Sequence, residues 1–568
     1  MYEKIHKERK ELQAAGRLPD WMITASWQLL KEKYVTPEYP DHRAICERIS
    51  KHLAQYTHGQ DEYWEPKFFE IVWNNWFVPS TPVMANCGRG FGAPVSCSGN
   101  DVLDNVGDFY EKQKENAILS QKGYGTSSYL GGIRQRGAQI TGVKGGASGV
   151  VPVFKDFVQM SKDISQGSQR RGAWAGYIEL DHGDVAELML HVGSHPDDAN
   201  PGWNVTDEFI ARLEAGDEET LALYQKSLKL KMTSGKGYYH FIDKVNRANP
   251  PMYKDRGVKV KASNLCTEIS LFSGLDYTSG KEYTFSCVLG AMNAATYEDW
   301  KHTDAVRVAT VFLDCVNQDQ IEIVKNIPEL YRVKNFAEDT RALGTGLLGF
   351  HSYLQDNMIP FGSLEAHFFN IEIFKLLDSE SKKASEWMAK EWGEPEWCKG
   401  YGLRNTHRIA VAPNLSSALF AGGLSQGIEP IYKNVYVQAS AGGKVVRASP
   451  KLRSIMKERN VDVAAATKRI LKNNGSVREE DYLTDAEKLV FLTAFEINQK
   501  DILRLASARQ PYIDQAQSIN LFFSSEESEE YISEIHKIAF LDENIKSLYY
   551  IRSENGVSTS KECLACAN

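Results

Sequence analysis

The stretch Ser263-Asn264-Leu265-Cys266-Thr267-Glu268 sets an amide, a thiol and a carboxylate at every second position. In an extended backbone alternate residues share a face, so this spacing predicts Asn264, Cys266 and Glu268 pointing the same way. An amide can hydrogen-bond a hydroxyl, a thiol can react as a nucleophile or a radical, and a carboxylate can accept a proton. The plainer reading of the same pattern is a half-buried strand edge that carries a structural cysteine.

The other cysteines bear on that choice. The chain has nine, at 46, 87, 97, 266, 287, 315, 398, 563 and 566. An odd number scattered over a long chain fits redox or catalytic thiols mixed with buried ones better than a disulfide framework. Cys97 in PVSCSGN and Cys287 in TFSCVLG each read alone as buried structural cysteines. Cys563-Leu564-Ala565-Cys566 ends a polar stretch that reads as a flexible tail, residues 553–568. A CxxC pair is half a zinc site, but no second pair lies at metal-site spacing. A dithiol that cycles with a disulfide is the better reading, and no metal ligands are assigned.

At 568 residues, with 42% apolar and 25% charged residues, the chain has the size and average composition of a large α/β enzyme. No run approaches the roughly 18 apolar residues that span a bilayer, and MYEKIHKERKELQAAG lacks the apolar core of a signal peptide, so a cytoplasmic location without membrane contact is expected. The net charge of −8 argues against a nucleic-acid backbone as partner. A local basic spot such as Gln169-Arg170-Arg171 still suits a nucleotide phosphate.

Residues 1–75 read as a helical region: EKIHKERKELQAA, a stop at Pro19, then DWMITASWQLLKEKY with Asp20 as N-cap. Residues 76–552 alternate short apolar runs, glycine-rich turns and helical stretches, the texture of an α/β body. VLDNVGDFYEKQKENAIL and VVPVFKDFVQMSKDI carry apolar residues at helical spacing on either side of a glycine-rich stretch. They read as core-facing helices or as a subunit interface. Near the end, a helix with an acidic first turn behind Ser524 and Ser525 precedes the β-like KSLYYIRS.

STPVMANCG, PVSCSGNDVLDN, SQGSQRRGA, NLCTEI, APNLSSAL, GIEPIY, QSINLF and LYYIRS occur in an order that resembles the catalytic large subunit of class I ribonucleotide reductases, from about Pro79 to the C-terminus. The resemblance implies a ten-stranded α/β barrel, two five-stranded parallel halves packed antiparallel, with a loop threading the centre. It implies that Cys266 forms a thiyl radical that takes the 3′ hydrogen of a ribonucleoside diphosphate, with Glu268 as base and Asn264 on the sugar hydroxyls. Cys97 and Cys287 resemble the pair that supplies two electrons, and Cys563 and Cys566 the tail pair that restores them by thiol exchange. Thr81, Ser96, Asn414, Leu415, Ser416 and Ser417 match phosphate- and substrate-binding positions, although Asn414-Leu415 departs from the usual Thr-Ala. Asp101, Leu103, Arg134 and Ile140 match a deoxynucleoside triphosphate effector site, and Gln166, Gln169, Arg170 and Arg171 the loop that relays effector identity. No ATP-cone is expected in the N-terminal region.

Tyr549-Tyr550 bears on the radical source. In a strand, adjacent tyrosines face opposite sides, one to the core and one to the surface. By resemblance they are the pair that carries an oxidising equivalent from a metal-containing small subunit, so no cofactor is bound directly. Some class II relatives also carry Tyr-Tyr, and adenosylcobalamin would be the cofactor under that alternative. Thioredoxin or glutaredoxin and a second copy of the chain are the other implied partners.

Overall fold

Four helices, Tyr2–Ala14, Thr24–Lys33, His42–Ala54 and Asp61–Trp73, open the computed structural model, which describes residues 2–553 except 91, 143, 165–172, 197, 199 and 441–442. The third is capped by Asp41, whose carboxylate accepts the Ala44 N–H and holds Arg17 through two bonds of 2.7 and 2.9 Å. Asp20 is not a cap. The second helix starts after Ile23, without a side-chain cap bond, because residues 20–23 still turn the chain away from Pro19. Trp27, Trp64 and Phe68 bury the inner faces of these helices.

The sheet begins with β1 (Phe77–Pro79), followed by β2 (Cys97–Asp101), β3 (Gly125–Tyr129), β4 (Trp174–Glu179), β5 (Asn200–Val205) and β6 (Tyr238–Phe241). Strands β2 to β6 pair in order and all in parallel, with helices such as Val106–Gln121 and Val150–Asp163 as crossovers. β2 also pairs antiparallel with the long strand Phe285–Asn293, so the chain reverses direction there. That strand pairs in parallel with Leu343–Leu348 and antiparallel with β1. At the far edge Ser547–Leu548 runs antiparallel to β6. The close β2 contact needs Gly99, since a Cβ there would sit 2.4 Å from the Phe285 ring.

The structure is therefore α/β with a curled sheet, one parallel half of which is regular. Among the described residues the main sheet has nine strands, where ten were expected for the barrel. The second half continues as isolated parallel bridges, Thr345 to Ile409 and Val411 to Gln517, and as the pair Leu521–Phe523 with Ile551–Ser553. Backbone bonds such as Gln515 N–H to Ile409 O and Ser518 N–H to Val411 O join these segments, while the Ala516 N–H donates to Glu268 O of the central loop at 3.0 Å. The late helix is Glu529–Leu541, capped by Ser528 rather than Ser524 or Ser525, because Ser528 Oγ is the group that reaches the Tyr531 N–H. Among the described residues no helix is long and apolar enough to cross a membrane.

Candidate active site

Ser263 to Glu268 is a tight loop and not the expected extended strand. Leu265 and Cys266 form a turn, and Thr267 takes a φ of 68°, the left-handed region. The local polar groups favour this bend: Thr267 N–H points to Asn264 O at 3.4 Å, Asn264 Oδ1 accepts the Ile269 N–H at 3.2 Å, and Ser263 Oγ donates to Ile269 O at 2.6 Å. A non-glycine residue held at positive φ costs on the order of 1–2 kcal/mol. Bonds from other elements offset that cost. Tyr177 OH donates to Asn264 O at 2.6 Å, Ser518 Oγ to Cys266 O at 2.5 Å, and Ser547 Oγ to Thr267 O at 3.0 Å. The turn, and not alternation, brings Asn264, Cys266 and Glu268 into one buried pocket. All three, with Cys97, surround or act on the Tyr177 phenol, which burial raises well above its usual range.

Cys97 and Cys287 face each other as register partners across the antiparallel junction of the two halves. Both are buried free thiols. Asn264 Nδ2 reaches Cys97 Sγ at 3.1 Å and Gln515 Nε2 reaches Cys287 Sγ at 3.6 Å. Burial pushes the Cys287 thiol well above the ordinary range, so it holds its proton.

Tyr549 and Tyr550 lie between two short strand segments, both buried, with ring centroids 4.1 Å apart. They do not face opposite sides of a sheet, because the break in strand between Leu548 and Ile551 lets the rings turn together. Tyr549 OH reaches Cys266 Sγ at 3.5 Å. Tyr238 of β6 packs on both rings and donates a hydrogen bond to Tyr550 OH at 2.9 Å.

The family model described as "Ribonucleotide reductase, barrel domain" matches residues 95–223, 219–398 and 396–551, and the one described as "Ribonucleotide reductase, all-alpha domain" matches 24–92. The chain belongs to the ribonucleotide reductase large-subunit family. The solved class Id ribonucleotide reductase alpha subunit from Actinobacillus ureae superposes with a TM-score of 0.87 at 34% identity, covering 97% of this chain and 99% of that one. The ribonucleoside-diphosphate reductase large subunit of Invertebrate iridescent virus 3 is 28% identical over 94% of both chains. A vitamin B12-dependent ribonucleoside-diphosphate reductase from Thermoplasma acidophilum is 27% identical, over 83% of this chain and 63% of its own length.

The remaining candidate residues of this reductase chain fall into three groups. Thr81 begins a short helix, Thr81–Asn86, and accepts Tyr34 OH at 3.1 Å, while Ser96 is buried just before β2. Asn414, at a φ of 53°, precedes the helix Leu415–Phe420 that carries Ser416 and Ser417, and its amide donates to Leu347 O at 3.3 Å. Both helices start against the strand pair 285–293 and 343–348, since Ser80 N–H donates to Leu289 O at 3.3 Å. At the effector candidates, exposed Leu103 adjoins Asp104, whose carboxylate accepts Arg134 Nε at 2.5 Å, and Arg134 also reaches Gln139 O beside Ile140. Asp101, at the end of β2, is buried and paired with Lys261 Nζ at 2.5 Å. Gln166, Gln169, Arg170, Arg171, Cys563 and Cys566 lie outside the described residues.

Among the described residues, His52, Cys87 and Asp319, and separately His191, His195 and Asp198, have metal-ligating atoms within 4.8 Å of one another, and neither group includes a residue of the cysteine pocket. Sequence reading missed Tyr177, Tyr238, Gln515 and Ser518 as parts of the pocket. Ser518 sits in the QSINLF motif, but its role shows only when the loop is in place.

Proposed function

We propose that the chain is the catalytic subunit of a class I enzyme that reduces ribonucleoside diphosphates to 2′-deoxyribonucleoside diphosphates by thiyl-radical chemistry. The contact between Tyr549 OH and Cys266 Sγ carries the reading: a buried phenol touches the one thiol in the central loop. A phenoxyl at Tyr549 takes the Cys266 hydrogen, leaving a thiyl. The thiyl then takes the 3′ hydrogen of the ribose while Glu268 accepts the 3′-hydroxyl proton and Asn264 holds the sugar hydroxyls. Loss of the 2′-hydroxyl as water draws two electrons from Cys97 and Cys287, which close to a disulfide. Return of the hydrogen from Cys266 to C3′ restores the thiyl, and Cys563 and Cys566 reduce the disulfide by exchange.

The oxidising equivalent enters at Tyr550 from a metal-containing small subunit, and thioredoxin or glutaredoxin supplies reducing equivalents. Exposed Val106 and Tyr110 on helix Val106–Gln121 suit a homodimer contact beside an effector site for deoxynucleoside triphosphates at Asp101, Leu103, Arg134 and Ile140. Gln166, Gln169, Arg170 and Arg171 would relay effector identity, and Thr81, Ser96 and Asn414 to Ser417 would anchor the substrate diphosphate. The regions 1–75, 76–552 and 553–568 then act as helical entry, catalytic body and redox tail. The similarity to a B12-dependent enzyme supports a second reading, with adenosylcobalamin as radical source. Cys266→Ser tests the core of the proposal. It should abolish deoxynucleotide formation and leave substrate binding intact, because an O–H bond is too strong for the exchange; sustained turnover by this variant would overturn it.

A further inference from the structure

Tyr238 has no part in the reaction above, yet it touches both tyrosines that do. Its position follows from sheet register. Ser547 and Leu548 pair antiparallel with His240 and Tyr239, so the next residue, Tyr549, comes level with Tyr238. The Tyr238 ring centroid lies 4.7 Å from that of Tyr549 and 5.3 Å from that of Tyr550. A phenylalanine would fill the same space. The hydroxyl, on a fully buried side chain, donates instead to Tyr550 OH at 2.9 Å. The cluster is also pinned from outside: the Lys231 amine donates to Tyr549 O and to Gly237 O, and the Arg552 guanidinium lies 4.8 Å over the Tyr550 ring. Three phenols are thus fixed in contact where two would connect a surface to Cys266.

We propose that Tyr238 is a third redox tyrosine, a hydrogen-bonded side branch that exchanges a hydrogen atom with Tyr550. When Tyr550 is a phenoxyl, the Tyr238 O–H bond breaks and an O–H bond forms on Tyr550; proton and electron move together across the 2.9 Å contact. The bonds broken and formed are of one kind, so the exchange is nearly balanced and runs back as readily. The inference rests on the class I reading, since the phenoxyl at Tyr550 is supplied by the small subunit.

The test replaces Tyr238 with 3-aminotyrosine in the full chain, mixed with a class I small subunit bearing its radical, CDP and effector. Electron paramagnetic resonance should show an aminotyrosyl radical at 238, and Tyr550→Phe in the same chain should remove it. Tyr238→Phe should lower kcat by about fivefold, the weight of one hydrogen bond, with KM for CDP unchanged. A parallel chain with 3-aminotyrosine at 549 separates the two claims. A radical at 549 with none at 238 overturns the side branch and leaves the class I reading standing. No radical at either position overturns both.

Discussion

Tyr549→Phe removes one oxygen atom from the contact with Cys266 and keeps the ring packed against Tyr550 and Tyr238. If that hydroxyl served only to pack and hydrogen-bond, its removal would cost about 1 kcal/mol. That equals about a fivefold change in any rate or equilibrium it touches. Over a chain this long the melting temperature would move by no more than about 2 °C. A relay tyrosine behaves differently, because phenylalanine cannot give up a proton and an electron together at accessible potential. Turnover of CDP with the small subunit should then fall by more than about a hundredfold, which needs about 2.7 kcal/mol of barrier and exceeds any packing effect. The assay pairs deoxycytidine diphosphate formation with a thermal melt and substrate binding by calorimetry. Activity within about tenfold of the parent, with an unchanged melt, would refute the relay.

Cys563→Ser with Cys566→Ser should allow about one turnover from the internal dithiol and block repeated turnover with thioredoxin, read as product per active site against time. Arg134→Ala breaks the Asp104 contact and should weaken deoxynucleoside triphosphate binding, so that effectors no longer change which base is reduced while basal activity persists; unchanged effector response by competition assay would remove Arg134 from that site. Acid sensitivity follows from His42, His240, His351, His407 and His536, each held neutral by burial with its pKa lowered to about 3. Below the unfolded value near 6.5 the unfolded chain binds protons that the folded chain refuses, so each histidine removes up to about 1.4 kcal/mol per pH unit as pH falls from 6.5 toward 3. Urea melts at pH 7 and pH 5 should show a clear loss of stability, and a flat profile would contradict the burial.

The candidate residues of the site were legible because their chemistry lies in residue identity. Cys266, Glu268 and Asn264 are close in sequence, whereas the pairing of Cys97 with Cys287 was implied only by the family resemblance and appears in the structure as strand register. The geometry that joins them was less so. Alternation predicted an extended strand at 263–268, whereas Ser263, Asn264 and the distant Ser518 and Ser547 stabilise a turn at Thr267. Those partners lie some 250 to 280 residues away, beyond any local pattern. Tyr238 was silent for the same reason: YYHF reads as an ordinary buried strand until β6 meets Ser547–Leu548. The pairing of Asp101 with Lys261, 160 residues away, likewise lay beyond any local pattern.

The most direct measurement is turnover of CDP by the unmodified full chain under two conditions, with a radical-bearing class I small subunit and with adenosylcobalamin alone. Product is expected only with the small subunit. Product with adenosylcobalamin alone, undiminished by Tyr549→Phe, would contradict delivery of the radical to Cys266 through the tyrosine pair.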